Sequence, residues 1–207
     1  MSGPNLIQRY TSAERANHWL VATCFILAAL SGLAMFHPSF FLFAQLFGGG
    51  PWTRILHPFI GVAMFLFFII SASWFWSQNR ITDADRRWMQ RIRDFMFNRE
   101  RDMPETGKYN AAQKYLFWVM VTTLILLFIT GIAMWRPYFA ELFPVWLTRI
   151  AVVIHALSAF VLIMGIIAHV YAAIWVKGSI RAMTRGTVSE AWAKHHHRGW
   201  YREVTGK

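Results

Sequence analysis

Four histidines stand where long uncharged stretches of the chain read as membrane spans: His18, His57, His155 and His169. Imidazole can hydrogen-bond, carry a proton or ligate haem iron. A polar ring placed in a bilayer is a functional-site candidate by default. The single cysteine, Cys24, excludes an internal disulfide, a CxxCH haem attachment and a cysteine-held iron–sulfur cluster. Any metal here rests on His, Met or oxygen ligands. A proton relay is the weaker use, because these stretches hold no Asp or Glu to pass the proton on. Axial ligation of haem, two imidazoles to each iron, is the chemistry the set fits best. The remaining histidines read differently. His37 precedes Pro38 and reads as loop, and His195, His196 and His197 read as solvated residues of a basic tail.

The elements that must position these rings follow from the uncharged stretches, Ala16–Thr53, Ile55–Asn79, Tyr115–Trp135 and Ile150–Val176. A helix needs about 20 apolar residues to cross the hydrocarbon core. The first stretch is broken by His37-Pro38 and by Gly48-Gly49-Gly50-Pro51, so its span ends near Phe36 and an apolar loop follows. The expected fold is an all-α integral membrane protein. Four transmembrane helices, at about 16–36, 55–77, 115–135 and 150–176, form a di-haem bundle as a single membrane domain. A loop over 78–114 and a basic tail over 177–207 complete the chain. Helix 1 is expected to be retained rather than cleaved as a signal peptide, and no internal repeat is evident.

Composition agrees. The hydrophobic fraction is 56%, above the roughly 45–50% of a soluble domain. The net charge of +11 raises nucleic acid as a partner, but the basic residues lie between and after the apolar runs, where a membrane protein keeps them. Of 21 Lys and Arg, 18 fall in the N-terminal segment, the 78–114 loop and the tail. The positive-inside rule then puts both termini and that loop in the cytoplasm, with lipid as the solvent of the spans. Within the loop, Trp88, Ile92 and Phe95 recur at helical spacing among arginines, as in a short helix on the inner leaflet.

This topology sorts the histidines by depth. His57 and His155 stand near the outer ends of their helices, and His18 and His169 toward the inner ends. His155 and His169 are 14 residues apart. That is close to four whole turns, so both rings point the same way about 21 Å apart along the axis. Gly61 and Gly165 each lie four residues from a histidine and suit the edge of a flat macrocycle.

Several stretches carry a family resemblance. Arg15-Ala16-Asn17-His18-Trp19 resembles the opening of the membrane di-haem cytochromes b that serve formate dehydrogenases, nickel–iron hydrogenases and thiosulfate reductases. Lys108 to Lys114, Trp135-Arg136-Pro137-Tyr138-Phe139, Trp175 to Ile180 and Trp192 to Glu203 together resemble the gamma subunits of respiratory formate dehydrogenases. The resemblance runs over essentially the whole chain. It implies two haems b, the outer held by His57 and His155 and the inner by His18 and His169. It also implies a quinone pocket (menaquinone or ubiquinone) at the inner haem that uses Asn110, with Gln113 beside it. Electrons would arrive from an iron–sulfur beta subunit. Formate oxidation would lie on a molybdenum or tungsten alpha subunit, in a higher oligomer of the complex in the bacterial inner membrane. Two points pull against a simple transfer. Asn110-x-x-Gln113 is also a helix-capping pattern, and Ala112 stands where close family members carry glycine. The cytochrome b of a hydrogenase, or a non-redox membrane anchor, remain the alternatives.

Overall fold

The computed structural model describes residues 5–97, Arg99 and 103–206. Arg101 of the basic loop and Lys207 of the tail lie outside the described residues. Four helices are long and apolar enough to cross a membrane: α1 (Ser12–Phe36), α2 (Gly50–Phe75), α5 (Ala111–Met134) and α6 (Val145–Trp175). The chain is a multi-pass membrane protein. The shortest span has 24 residues, about 36 Å of helix, against a hydrocarbon core of about 30 Å.

Helix ends differ from the uncharged stretches for local reasons. α1 starts in charged sequence because Thr11 and Glu14 cap it reciprocally: the Glu14 amide donates to the Thr11 hydroxyl at 3.2 Å and the Thr11 amide to the Glu14 carboxylate at 2.7 Å. α2 starts earlier than expected, at Gly50, because Pro51 falls in the first turn, where a missing N–H leaves no helical bond unmade. The expected apolar loop after α1 is a 3₁₀ helix over Pro38–Phe47. His37 caps it, its ring accepting from the Ser39 amide at 3.2 Å. Gly48 and Gly49 end it at φ of 88° and 95°, a region L side chains avoid.

The chain divides into two compact units. One holds residues 16–73 and 120–168, most of the four spans. Here the Asn17 amide on α1 donates to the Phe67 carbonyl at 2.8 Å and the Ser71 hydroxyl at 2.7 Å on α2. Phe65 on α2 stacks on Phe128 of α5 with ring centres 4.0 Å apart. Ile26, Leu66, Phe160 and Ile167 are more than half exposed, as apolar side chains in contact with lipid are.

The other unit holds residues 1–15, 74–119 and 169–207. The tail is more structured than expected. It contains α7 (Ser179–Arg185), α8 (Glu190–His196) and α9 (Arg198–Thr205), and a strand β2 (Thr187–Ser189) that pairs antiparallel with β1 (Leu6–Gln8). Ile7 stands opposite Val188 in that register. Ala182, Val188, Ala193, Trp200 and Tyr201 form a small core against Ile7, Tyr10 and Trp192. The strands are an addition to the expected all-α fold. At three residues each they are too short to show a period in the sequence.

In the same unit the basic loop forms α3 (Asp83–Gln90) and α4 (Ile92–Met96). Trp88 is buried in the protein at 3% exposure rather than turned to the leaflet. Asp85 caps α3 with Thr82 and pairs with Lys114 at 2.8 Å. Burial alone would raise the Asp85 carboxyl; the bonds from Lys114 and Thr82 outweigh it and hold the pKa below its ordinary value.

Candidate cofactor site

His57, on the second turn of α2, and His155, on the third turn of α6, meet in the first unit with ring centres 6.3 Å apart and planes at 67°. An imidazole nitrogen sits about 2.0–2.1 Å from a first-row metal, and the ring centre about 1.2 Å behind it. Two imidazoles on opposite sides of one metal thus have centres about 6.4 Å apart. The observed separation of ring centres matches that spacing.

Each ring is held by a neighbouring helix. The Nδ1 of His57 lies 2.8 Å from the Ser31 hydroxyl on α1, and the Nδ1 of His155 lies 2.9 Å from the Thr130 hydroxyl on α5. Ser31 is fully buried and Thr130 nearly so. The next residue in each case is a glycine pressed on the same ring. A Cβ on Gly32 would stand 3.3 Å from Cε1 of His57, and one on Gly131 3.5 Å from Cε1 of His155. Toward the ends of these helices a cavity of about 750 Å³ is lined by Met35, His37, Arg54, Met134 and Arg136 among others. Beside Gly61, one turn after His57, a Cβ would meet nothing within 4 Å. Paired rings at a spacing compatible with one metal fit haem iron; the cavity, which neither imidazole lines, presents Arg54 and Arg136, the kind of cation that propionates need.

These hydroxyl–glycine pairs belong to a repeat absent from the sequence expectations. Ser31-Gly32-Leu33-Ala34-Met35-Phe36-His37-Pro38 matches Thr130-Gly131-Ile132-Ala133-Met134-Trp135-Arg136-Pro137, with Gly, Ala, Met and Pro identical. The signal was legible, but hydrophobic stretches resemble one another so readily that only the shared geometry makes it stand out.

The other expected ligands fall in different units. His18 lies on α1 in the unit that holds His57 and His155, with its ring edge-on to Trp19 at 5.3 Å. His169 lies on α6 in the second unit. Among the described residues no cluster of three or more His, Cys, Asp or Glu is arranged to hold a bare metal ion.

Asn110 and Gln113 form the capping pattern at the start of α5. The Gln113 amide donates to Oδ1 of Asn110 at 3.0 Å, and the Asn110 amide to Oε1 of Gln113 at 2.9 Å. The cap uses the Asn110 side-chain oxygen and not its NH₂ group. Asn110 also lines a cavity of about 30 Å³ with Trp88, Phe95, His195 and His196, room for a water but not for a ring.

The tail histidines are not all solvated. His195 is exposed and His196 half-buried, but His197 is only 3% exposed. Its Nδ1 donates to the Gly107 carbonyl at 2.9 Å, and Nε2 accepts from the Arg9 guanidinium at 3.3 Å. Burial first, and the Arg9 charge second, push its pKa down to about 3. Arg9, counted in the sequence as a membrane-flanking charge, is 5% exposed. It also bonds the Lys108 carbonyl and lies over the rings of Trp200 and Trp192 at 4.8 and 5.1 Å.

Membrane-length helices with two imidazoles at metal-bridging distance define a multi-pass membrane haem protein. The chain belongs to the prokaryotic cytochrome b561 family, which matches residues 9–186; membership implies haem b. It is 48% identical over 204 residues to the formate dehydrogenase cytochrome b556(fdo) subunit of Escherichia coli K12, covering 99% of this chain and 96% of that protein. It is 42% identical, over 99% of this chain and 94% of the other, to the nitrate-inducible formate dehydrogenase cytochrome b556(Fdn) subunit of the same organism. To the formate dehydrogenase cytochrome b556 subunit of Haemophilus influenzae it is 39% identical, over 98% of this chain and 85% of that one.

Proposed function

We propose that this chain is the cytochrome b subunit of a formate dehydrogenase complex in the bacterial inner membrane, with both termini in the cytoplasm. It takes electrons from an iron–sulfur subunit on the outer face and delivers them to a quinone on the inner face. The approach of His57 and His155 to 6.3 Å within the membrane-length helices of a cytochrome b561 family member carries the reading. The relatives' names supply formate as the donor.

His57 and His155 would hold the outer haem, and His18 and His169 the inner one. When bound, the two haems supply reversible one-electron chemistry at two depths of the membrane. The residues of the chain do the rest. Ser31 and Thr130 orient the outer imidazoles, Gly32 and Gly131 let α1 and α5 approach them, and Arg54 and Arg136 offer charge to the propionates. At the inner side Asn110 keeps its NH₂ group free of the cap, and so has donors for a quinone carbonyl.

The test is the assembled complex, reduced with formate and followed by haem absorbance. His57→Ala and His155→Ala should remove the same redox component, and His18→Ala and His169→Ala the other. Loss of one component by both His18→Ala and His57→Ala would break the pairing. Absence of haem from the purified complex would leave only a membrane anchor. Asn110→Asp keeps the cap but loses the amide donor while ionised, so it should retain both haems and slow their reoxidation by quinone. Wild-type reoxidation in that variant would make Asn110 a cap alone.

A further inference from the structure

We infer that Ser31 and Thr130 are positioning residues that set the redox potential of the outer centre, by fixing which nitrogen of each imidazole faces the metal and how strongly it donates. The inference rests on ligation by His57 and His155.

The proton assignment follows from counting donors. A hydroxyl has one hydrogen and two lone pairs. Ser31 Oγ lies 2.7 Å from the Leu27 carbonyl and 3.1 Å from that of Ala28. Thr130 Oγ1 lies 2.6 Å from the Leu126 carbonyl and 3.3 Å from that of Leu127. Carbonyls only accept, so each hydroxyl hydrogen goes back to its own helix. The contacts to the imidazoles at 2.8 and 2.9 Å are then made by hydroxyl oxygens accepting from Nδ1–H. With the proton on Nδ1, Nε2 of each ring carries the bare lone pair that a metal takes. A hydrogen bond from the far ring nitrogen fixes the tautomer and raises the ligand's basicity. A more basic ligand favours the ferric over the ferrous state and lowers the potential.

The two sites do this in the same way on the two ligands of one iron. Ser31 and Thr130 are buried, at 0% and 6% exposure, and the Ala28 and Leu127 carbonyls also bond the His57 and His155 rings, so each Nδ1–H is shared between a hydroxyl and a carbonyl of the same turn. Each is followed by the glycine that admits its helix to the ring. Removing either acceptor should therefore act on one centre, in one direction.

The experiment is a redox titration of the purified complex carrying Ser31→Ala, Thr130→Val or Thr130→Ser. Ser31→Ala and Thr130→Val should each move the same one of two haem waves upward, by up to tenfold in ferrous preference, which is 59 mV for a one-electron couple. Thr130→Ser keeps the oxygen and should titrate as wild type, whereas a packing defect would not be rescued by the smaller serine. Full haem content at unchanged potentials in both Ser31→Ala and Thr130→Val would overturn the inference and leave the ligation intact. Movement of different waves by the two variants would instead overturn the assignment of His57 and His155 to one iron.

Discussion

Replacing His197 with Gln isolates a dependence of tail docking on pH. In the folded protein the His197 pKa is near 3, because the ring is buried beside Arg9; in an unfolded tail it returns to about 6.5. Between those values the undocked state binds the extra proton, so stability falls as the pH is lowered below about 6.5 and continues to fall toward 3. From pH 7 to pH 5 the linkage is worth about 2 kcal/mol, or a factor of roughly 25 in the docking equilibrium. Gln can donate its NH₂ to the Gly107 carbonyl and accept from Arg9 with its oxygen, reproducing both bonds without titrating. Limited proteolysis of residues 177–207 in nanodiscs, at pH 7 and pH 5, reads the equilibrium. Wild type should become about 25-fold more susceptible at the lower pH than His197→Gln does. Equal acid sensitivity of the two would mean that the His197 site does not control docking.

Two further variants probe packing. Gly32→Ala puts a methyl 3.3 Å from the His57 ring, closer than comfortable contact, whereas Gly131→Ala puts one at an ordinary 3.5 Å from His155. Thermal loss of the haem absorbance should show Gly32→Ala about 1 kcal/mol less stable than wild type and Gly131→Ala no less stable, since alanine is the better helix former; identical melting of both would refute this. Asp85→Asn removes the charge partner of Lys114, whose side chain is 12% exposed and keeps its bond to the Arg80 carbonyl at 3.2 Å, at a cost of about 2–3 kcal/mol; protease resistance of the 83–97 segment equal to wild type would count against it.

The spans were legible because lipid imposes one rule on many residues: no charge for about 20 positions. The four histidines were legible against that background for the same reason. Their neighbours were not. Ser31 and Thr130 look like any hydroxyl in a membrane helix, and only the 2.8 and 2.9 Å contacts separate them from packing. Nor did the tail yield to pattern. A net positive segment with three adjacent histidines reads as solvated, yet His197 and Arg9 are buried through partners about 90 to 190 positions away in sequence. Burial of that kind depends on pairing between the chain ends, to which local composition is blind. The caps at Thr11 and Asn110 were half-legible. The first moved a helix start into charged sequence, and the second was readable from Asn110-x-x-Gln113 alone.

The repeat gives the two proposed centres different characters. His57 and His155 occupy matching places, each on the helix that follows a hydroxyl–glycine pair, so the outer ligands are equivalent and receive the same support. The inner ligands are not. Aligning the first helices on Ser31 and Thr130 puts Phe117 of α5 where α1 has His18, and aligning the second helices on His57 and His155, one residue out of that register, puts Ser71 of α2 where α6 has His169. Each repeat thus carries one inner histidine, on a different member of its helix pair. Ser71 accepts from Asn17, the neighbour of His18, at 2.7 Å, so the position that matches His169 secures the start of α1. The proposed outer site has equivalent ligands and the proposed inner one does not, and hydrogen bonding and solvent access follow the placement of ligands. Those same quantities set a haem potential. The proposed electron path would draw its asymmetry from where the repeat does, and does not, place histidine.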